Sequence, residues 1–453
     1  MLNLLVEVSK YILIINVLLY TLYGFLVFAY KDRKKQNRIF LKQRFLILML
    51  HFISSLILFL HEKDIMLLIL YFGEVILFFV VILSYQFVYT NLSKLVLNNM
   101  LMFLMISFVI VARLSVRLAF KQFCFAAAAL IISLVIPFFI EHFRHLENFG
   151  WLYCFAGIAM LIFVAIFGKE QYGAKNWIYF GKVSIQPSEF VKILFVFGIS
   201  ALLSKAKNIK EIIGITSLAA IPVLILVYSK DLGNALIYFL MYICVLYVST
   251  GQFIYFGLAF AAGSAAACVA YRLFAHVRVR VLAWRDPFAY IDKEGYQIAQ
   301  SLFAIGTGGF FGMGLCEGLP SSIPVRESDF IFSVIAEELG GFFAICLIFI
   351  YISTFLMFIN ISLKMKHNFY KLTAFGLSVL IFVQVFLNIG GVIKFIPSTG
   401  VTLPLLSYGG SSVVSTIILF NVIQGMYVLD QMGGNRIEEK RKPSKTRKKR
   451  RKK

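Results

Sequence analysis

The stretch DLGNALIYFLMYICVLYVST, residues 231–250, decides the fold class of this chain. After Asp231, the nineteen residues up to Thr250 carry no charge. A helix needs roughly 20 apolar residues to cross about 30 Å of hydrocarbon. Strands of a membrane barrel alternate polar and apolar residues, and this run does not alternate. The stretch therefore predicts a membrane-spanning helix.

Runs of similar length recur along the whole chain, in which 60% of the residues are hydrophobic and 15% are charged. This composition excludes an ordinary soluble domain, in which roughly half of the residues are apolar. We predict an all-α polytopic membrane protein. Its thirteen predicted spans lie near residues 10–30, 43–61, 65–91, 98–113, 124–141, 150–168, 188–204, 211–228, 231–250, 253–272, 329–360, 371–394 and 404–428.

The net charge of +22 is concentrated at the C-terminus, where residues 436–453 hold 12 basic and 2 acidic side chains. This basic segment directly follows a predicted span. The position favours a cytoplasmic tail attracted to anionic lipid over a segment that binds nucleic acid. The six cysteines are scattered and the histidines show no ligand spacing, so the sequence predicts no structural metal site.

Basic loops predict the orientation of the chain. The loops at 30–44, 204–210 and 364–371 and the C-terminal tail all fall on one side when the spans are counted alternately, which makes that side cytoplasmic and places the N-terminus outside. The loop at 113–122 is also basic but falls on the outer side by the same count.

The count also places residues 273–328 outside. Loops of this length are far above the usual connection length and are usually functional or disordered. The segment contains too many aromatic residues for disorder. We expect this large extracellular loop to fold back onto the helices, with EGYQIAQSLFAIG (294–306) as a short amphipathic helix.

Charged residues within or beside the spans are the candidate functional residues, because a charge at mid-bilayer costs on the order of 3 kcal/mol on insertion scales. Glu189 and Lys192 lie three residues apart on one helical face at the start of a span. Asp231 opens another span, while Arg280 and Asp292 belong to the large loop. The predicted topology places Glu189, Asp231, Arg280 and Asp292 at or near the outer surface.

Simpler interpretations exist for several of these residues. Glu189 and Lys192 can form a local ion pair that eases helix insertion. Asp231 can be the N-cap of its helix, since Asp before an apolar run accepts the free amides of the first turn. Asp286 before a proline is typical of a turn. Asp292 has no such simple structural interpretation.

The residues alone leave three kinds of function open. One is an enzyme that acts on a lipid-linked substrate, another is a flippase or transporter, and the third is a scaffold for partner proteins. Periodicity does not separate them. Nucleotide binding is disfavoured, because the glycine clusters at 306–314 and 407–412 match neither a phosphate-binding loop nor a dinucleotide-binding pattern.

Five motifs occur in order along the second part of the chain. They are GAKNWIYFGKVSIQPSEFVKI (173–193), DLGNALI (231–237), WRDPFAYIDKEGYQIAQSLFAIGTGGFFGMGL (284–315), SDFIFSVIAEELG (328–340) and GVTLPLLSYGGSS (400–412). Together they resemble the SEDS family (shape, elongation, division and sporulation), which includes the RodA, FtsW and SpoVE proteins. The resemblance covers roughly residues 98–430 and ten spans, which is the number in the family. We therefore divide the chain into a region of about three extra N-terminal spans (1–92), a SEDS-like core (93–430) and a basic cytoplasmic tail (431–453).

The resemblance implies a peptidoglycan glycosyltransferase of the bacterial cytoplasmic membrane that serves elongation, division or sporulation. Such a protein polymerises lipid II into glycan strands at the outer face. Its partners are lipid II, the nascent glycan strand and a class B penicillin-binding transpeptidase. The closest alternative is a lipid II flippase, which handles the same substrate without making a bond.

The resemblance also implies roles for individual residues. Asp292 takes the place of the essential aspartate of the family, with Asp286 as the second choice because the spacing differs from that in many members. Two departures are Glu327, where the family often has histidine, and Asn176, where the family commonly has an arginine shortly after the Gly-Ala of the first motif. The other matched positions, expected to bind substrate, are Gln186, Ser188, Glu189, Lys192, Asp231, Ser407, Gly409, Gly410 and Ser411.

Glycan polymerisation needs a base for the attacking sugar hydroxyl and positive charge or oriented amides for the departing pyrophosphate. We expect Asp292 to be the base, with a pKa raised by partial burial. Lys192 and Arg280, together with helix ends near Gly409 and Gly410, are the expected contacts of the pyrophosphate. We expect Asp231 to hold the cavity or a divalent cation such as Mg²⁺ or Mn²⁺, although no cofactor is certain and no ligand cluster shows a metal.

Overall fold

The computed structural model describes residues 2–143, 145–171, 173–181 and 183–441. Most of the predicted basic tail, residues 442–453, lies outside the described residues. Helices dominate the structure. They are α1 (Leu2–Ala29), α2 (Arg33–Glu62), α3 (Ile65–Val88), α4 (Lys94–Leu114), α5 (Val116–Ser133), α6 (Ile136–His142), α7 (Gly150–Phe167), α8 (Ser188–Leu203), α9 (Ile209–Tyr228), α10 (Leu232–Thr250), α11 (Phe253–Leu273), α12 (Ala275–Arg285), α13 (Tyr296–Gly308), α14 (Ile331–Lys364), α15 (Asn368–Val392) and α16 (Gly410–Arg441).

Within the described residues, twelve helices are long and apolar enough to cross a membrane, which confirms the predicted polytopic helical fold. The sequence predicts thirteen spans, and the difference is the predicted span at 188–204. This segment forms α8, which has 16 residues. At a rise of about 1.5 Å per residue it is roughly 24 Å long, shorter than the hydrocarbon layer.

A small antiparallel sheet precedes α8, and the sequence did not predict it. Its strands are β1 (Lys169–Gln171), β2 (Ala174–Phe180) and β3 (Val183–Ile185), in the spatial order β1-β2-β3. The sheet carries the first half of the motif at 173–193, so it delivers Gln186 to the start of α8.

Helix α4 lies at the centre of the helical bundle, and 94% of the residues in its apolar stretch are buried. The three N-terminal helices pack around it and its neighbours: α1 on α14, α2 on α4 and α3 on α5. Buried hydrogen bonds tie these helices to the rest of the chain. Tyr20 donates to Asn99 Oδ1 at 2.9 Å, and Asn99 donates to Thr354 Oγ1 at 3.0 Å. The region at 1–92 is therefore joined to the core by side-chain contacts and not only by the chain.

The large loop folds back onto the helices, as predicted. The expected amphipathic helix is α13, which buries Ile298, Ala299 and Ala304. The Ser301 hydroxyl on the same face donates to the carbonyl of Val392 at the end of α15 at 2.8 Å.

Helix α14 is broken near its start at Gly340, which has φ 88° and ψ 166°. The break frees the carbonyls of Glu337 and Glu338, and they accept hydrogen bonds from the amides of Met313 and Gly314 at 3.0 and 2.9 Å. Gly312 lies so close to the Glu338 carbonyl that a Cβ there would collide with it. The glycine cluster at 306–314 thus permits close approach of two backbone segments inside the helical bundle.

Candidate functional site

The segment between α15 and α16, residues 393–409, is irregular, and its part at 401–407 is largely buried among the helices. Irregular backbone inside a membrane protein needs internal hydrogen-bond partners, because lipid offers none. Side chains of the surrounding helices supply them. Asn388 donates to the Val401 carbonyl at 2.7 Å, and Ser107 donates to the Leu406 carbonyl at 2.6 Å. We call this stretch the 393–409 segment.

The Glu189–Lys192 pair lies beside the 393–409 segment. The Lys192 ammonium lies 2.7 Å from Glu189 Oε2 and donates to Gln384 Oε1 at 2.9 Å. Ser415 donates to the same Glu189 oxygen at 3.1 Å. The local ion pair suggested by the sequence is therefore present, and it also joins α8 to α15 and α16.

Lys192 is only 1% exposed, and its ammonium already has two bonded partners. A direct contact with a substrate phosphate therefore requires these bonds to be exchanged. Gln384 links the pair further to the 393–409 segment, because its amide donates to the Thr402 carbonyl at 3.0 Å. Thr402 in turn shares a 2.7 Å hydrogen bond with Ser412.

Asp231 is the N-cap of α10, as the simpler interpretation of the sequence predicts. Its Oδ1 accepts from the Asn234 amide at 3.2 Å. Its Oδ2 accepts from the side chains of Asn176 at 2.6 Å, Asn234 at 2.8 Å and Gln186 at 3.5 Å. Asn176, one of the two departures from the family pattern, thus joins the sheet to this carboxylate.

The same contacts argue against a cation on Asp231. Metal ligands bind through free oxygen lone pairs, whereas both carboxylate oxygens of Asp231 already accept hydrogen bonds from nitrogen donors. Within the described ranges, no group of three or more His, Cys, Asp and Glu side chains is placed to hold a metal ion. The described side chains therefore do not fit a divalent cation held by the protein.

The side chains of Arg280 and Asp329 both lie next to Gly400 in the 393–409 segment. A Cβ on Gly400 would lie 3.4 Å from an Arg280 guanidinium nitrogen and 3.5 Å from Asp329 Oδ2. Arg280 also donates to the Ser398 carbonyl at 3.1 Å. Burial lowers the pKa of the Arg280 guanidinium, and the negative charges of Asp329 and Asp231 partly offset this effect.

Burial and the neighbouring charge also act on the pKa of Asp329, each in the direction opposite to its effect on Arg280. Burial raises the pKa of this carboxyl, while the hydrogen bond from Ser328 and the charge of Arg280 act in the lowering direction. The Asp329 backbone carbonyl accepts from Asn388 at 2.9 Å. The sequence analysis includes Asp329 in the motif at 328–340 but assigns it no role.

The serines and glycines of the last motif brace this arrangement. Ser407 donates to the Ser328 carbonyl at 2.5 Å and accepts from the Leu403 amide at 2.8 Å. The Ser411 hydroxyl accepts a hydrogen bond from the backbone amide of Gln186 at 2.9 Å. Gly410 begins α16 next to the ring of Phe125, and Gly409 lies beside Thr402.

Ser188 contributes through its backbone, because its carbonyl accepts from the Tyr238 hydroxyl at 2.9 Å. Its own hydroxyl is buried and has no hydrogen-bond partner among the described residues.

The two aspartates of the loop behave differently from the buried network. Asp286 accepts from the Ala289 amide at 3.1 Å, which confirms its interpretation as a turn residue. Asp292 lies in the turn between α12 and α13 and is exposed. In the part of the chain that the structure describes, its carboxylate has no hydrogen bond or ion pair. The expected partial burial of Asp292 is therefore wrong for this structure.

The structure thus brings together most of the residues matched in the sequence, around the 393–409 segment, and leaves Asp292 outside that network. It also adds residues that the sequence analysis missed, namely Gln384, Asn388 and Thr402. A signal for two of them was available. Gln384 and Asn388 are polar, four residues apart and therefore on one face of an otherwise apolar span.

Comparisons with known proteins agree with this arrangement of motifs. The family model for the cell cycle proteins FtsW, RodA and SpoVE matches residues 86–429, about three quarters of the chain. The chain is 37% identical over 310 residues to the peptidoglycan glycosyltransferase RodA of Mycobacterium tuberculosis, a match that covers 64% of this chain and 66% of the relative, just under two thirds of its length. It is 32% identical over 293 residues to the peptidoglycan glycosyltransferase MrdB of Escherichia coli, covering 62% of this chain and 79% of the relative.

Among solved structures, one chain of a peptidoglycan synthase complex has the same fold. The two match with a TM-score of 0.63 at 23% identity, over 75% of this chain and 97% of the other. The predicted resemblance to the SEDS proteins is confirmed: the chain belongs to the FtsW, RodA and SpoVE family and is a multi-pass helical membrane protein.

Proposed function

We propose that this chain is a peptidoglycan glycosyltransferase that joins lipid II units into glycan strands. The observation that carries the proposal is the match, over some 300 residues, to relatives named peptidoglycan glycosyltransferase. The matched region includes the motif residues that converge around the 393–409 segment.

The reaction joins a sugar hydroxyl of one substrate to the anomeric carbon of another. The oxygen–carbon bond forms as the bond to the lipid pyrophosphate breaks, the hydroxyl proton passes to a base, and the pyrophosphate leaves with the electron pair. The base contributes about 10²–10⁴ in rate. Preorganised positive charge at the leaving group usually contributes more.

Asp292 is the proposed base. Its carboxylate is exposed and carries no hydrogen bond from the described residues, so it can accept a proton from a bound sugar hydroxyl. The turn that holds it is anchored on both sides. Trp284 in α12 donates to the Lys394 carbonyl at 3.2 Å, and Ser301 in α13 shares a 2.7 Å hydrogen bond with Ser333 in α14.

Arg280 is the proposed pyrophosphate contact. A guanidinium has five N–H donors in a fixed fork, and the Ser398 carbonyl occupies one of them. The remaining donors suit phosphate oxygens, which guanidinium binds with two parallel hydrogen bonds. Arg280 lies on α12, the helix that ends just before the turn with Asp292, so base and cation belong to one continuous segment.

Lys192, Glu189 and Asp231 then act as positioning residues. Each is buried and bonded to a neighbouring helix or to the sheet. Together they fix the 393–409 segment, whose carbonyl at Ser398 holds Arg280. A cation bound by the substrate pyrophosphate itself stays a prediction, since the protein side chains do not supply a site.

The proposal includes an orientation and a partner. The N-terminus and the large loop face outward, and the C-terminus is cytoplasmic, as the basic loops favour. This orientation requires the short helix α8 to cross the bilayer in addition to the twelve longer helices. Crosslinking of the strands is assigned to a class B penicillin-binding transpeptidase. The fold match to a chain of a peptidoglycan synthase complex supports an assembly of this kind.

The test is a reconstituted polymerisation assay with the full chain and labelled lipid II, with and without a class B transpeptidase. We expect glycan strands of increasing length on a gel. A parallel assay follows labelled lipid II across the vesicle bilayer. Transfer across the bilayer without any glycan product, with several transpeptidases tried, would replace the polymerase with a flippase.

A further inference from the structure

The added N-terminal helices contain a buried ionisable pair, His51 on α2 and Glu74 on α3. Their side chains are 0% and 4% exposed, and His51 Nε2 lies 3.1 Å from Glu74 Oε2. The ring of Tyr71 stacks on the imidazole with centroids 5.4 Å apart. The family model begins at residue 86, so this pair lies outside the part of the chain that the family shares.

The pair lies near the middle of the predicted bilayer. Glu74 is nine residues into α3, which begins at Ile65. At about 1.5 Å per residue it is roughly 14 Å from the helix start, close to half of a hydrocarbon layer of about 30 Å. Ionisable groups at this depth are costly and commonly mark proton or ion pathways.

A small cavity adjoins the carboxylate at the junction with the catalytic core. Its volume is about 10 Å³, which is about the space that one water molecule requires. It is lined by Ser55 and Leu58 of α2, Leu67, Leu70 and Glu74 of α3, and Phe108, Val109 and Ala112 of α4. The lining residues lie between Glu74 and the turn at 63–64 that joins α2 to α3, so the cavity extends from the carboxylate towards that end of the helices.

Three polar atoms of the pair are buried and have no hydrogen-bond partner among the described residues. They are Glu74 Oε1 and both imidazole nitrogens of His51, so the 3.1 Å approach of Nε2 to Glu74 Oε2 lacks hydrogen-bond geometry. A buried polar atom without a partner is costly. A water molecule in the cavity would satisfy Glu74 Oε1, which is the oxygen that does not face His51.

Among the described residues that line the cavity, Glu74 is the only charged one. The nearest charged residue of α4 is Arg113, next to the lining residue Ala112, and it is bonded to Glu338 at 3.0 Å. On α5, the residue that faces this part of α3 is Phe123, whose ring lies against Gly73. On α2 and α3 themselves, Tyr71 is the other titratable neighbour.

We propose that His51 and Glu74 form a proton-binding site that is reached by water from the end of the helices near the turn at 63–64. A hydronium ion in the cavity transfers its proton to the Glu74 carboxylate, leaving neutral water and a carboxyl group, and the reverse step releases the proton. Sodium is disfavoured as the ligand, because the lining supplies only the oxygens of Glu74 and Ser55 and alkali cations need several. The site does not rest on the proposed polymerase activity.

The test is carbodiimide labelling of the full chain in lipid nanodiscs over a range of pH, with the labelled residue identified by mass spectrometry. Dicyclohexylcarbodiimide reacts with protonated carboxyl groups in apolar surroundings. We expect Glu74 to be labelled at low pH and protected at high pH. Glu74→Gln should remove the label, whereas Glu62→Gln, at the exposed end of α2, should leave it unchanged.

His51 provides the sharper measurement. His51→Phe keeps an aromatic ring beside Tyr71 but removes the donor, so the pH midpoint of Glu74 labelling should rise by about one unit, which is tenfold in proton concentration. His51→Gln keeps a donor and should give a smaller rise. An unlabelled Glu74 at every pH, labelling that does not vary with pH, or an unchanged midpoint in both folded His51 variants would overturn the proposal.

Discussion

The polar network around the 393–409 segment and the turn that carries Asp292 are both built from motif residues, but their surroundings are opposite. Glu189 and Lys192 are 4% and 1% exposed, and besides each other they contact residues of other helices, Ser415 and Gln384 respectively. Asp292 is exposed and has no partner within the described ranges. The chain therefore separates a buried, hydrogen-bonded network from an exposed carboxylate that has no bonded partner among the described residues.

The difference follows from the physics of buried charge. In a low-dielectric interior a charge is tolerated only when its hydrogen bonds are satisfied. A satisfied group is held in one place, and it changes protonation or partner only by giving up those bonds. A solvent-exposed carboxylate has no such constraint, but it acquires catalytic geometry only when substrate covers it. Removing residues from each region should therefore give different kinds of defect.

The largest expected effect is on the rate, from Asp292→Asn. If Asp292 is the base, polymerisation should fall by about 10²–10⁴-fold, while the thermal unfolding temperature stays unchanged because the side chain is exposed and has no hydrogen bond or ion pair with the described residues. Glycan formation from labelled lipid II measures the first quantity, and unfolding in detergent measures the second.

Asp286→Asn is the matched control for this experiment, since it changes a neighbouring exposed aspartate with a known turn contact. It should retain polymerisation within a few-fold. Full activity of Asp292→Asn together with an inactive but folded Asp286→Asn would move the base to Asp286.

The second effect is on stability, from Lys192→Met. The substitution leaves the Glu189 carboxylate buried without its partner, and breaking a buried pair in this way costs about 3–5 kcal/mol. The double variant Glu189→Gln/Lys192→Met should recover much of this loss, because it leaves no unpaired charge. The unfolding temperatures of the single and double variants give the comparison. Equal losses in both would show that packing, and not the charge pair, dominates at this position.

The third effect is smaller and concerns Asp231→Ala, which removes the N-cap of α10 and leaves the side chains of Asn176 and Gln186 without their acceptor. Loss of the cap costs about 1 kcal/mol, and the stranded donors add to it. Asp231→Asn should cost less, because its amide oxygen can still accept from the Asn234 amide. An Asp231→Ala variant as stable as wild type would contradict the role of the carboxylate as an anchor of the sheet.

The comparison also shows which features the sequence predicts. The cap at Asp231, the turn at Asp286 and helix α13 are local, and each follows from a few neighbouring residues. The contact of Lys192 with Gln384 joins residues far apart in the chain, and only the packed bundle brings them together. The three-residue strands β1 and β3 are too short to show a periodic pattern. The exposure of Asp292 depends on how the whole loop lies against the helices, which no local pattern indicates.

The smallest expected effect is a pH dependence at Asp329, which lies between the two regions and next to Arg280. Burial raises the pKa of Asp329 above its usual 3.8, so the folded protein binds this proton more tightly than the unfolded chain does. Stability falls with rising pH wherever the folded state holds more protons. The contribution of Asp329 is thus most favourable below pH 3.8, decreases as the pH rises through its folded pKa, and is constant above that.

Asp329→Asn tests this directly, because asparagine cannot ionise and can still accept the hydrogen bond from Ser328. Relative to wild type, the variant should gain in unfolding temperature as the pH rises from the acid side and then reach a plateau. The control is Asp286→Asn, which changes an exposed aspartate outside the buried network and should show no such trend. If the variant instead loses stability steadily towards neutral pH, the charge pair with Arg280 outweighs the burial of Asp329. In that case Asp329, which lies next to Gly400, belongs with the hydrogen-bonded network around the 393–409 segment and not with the exposed turn that carries Asp292.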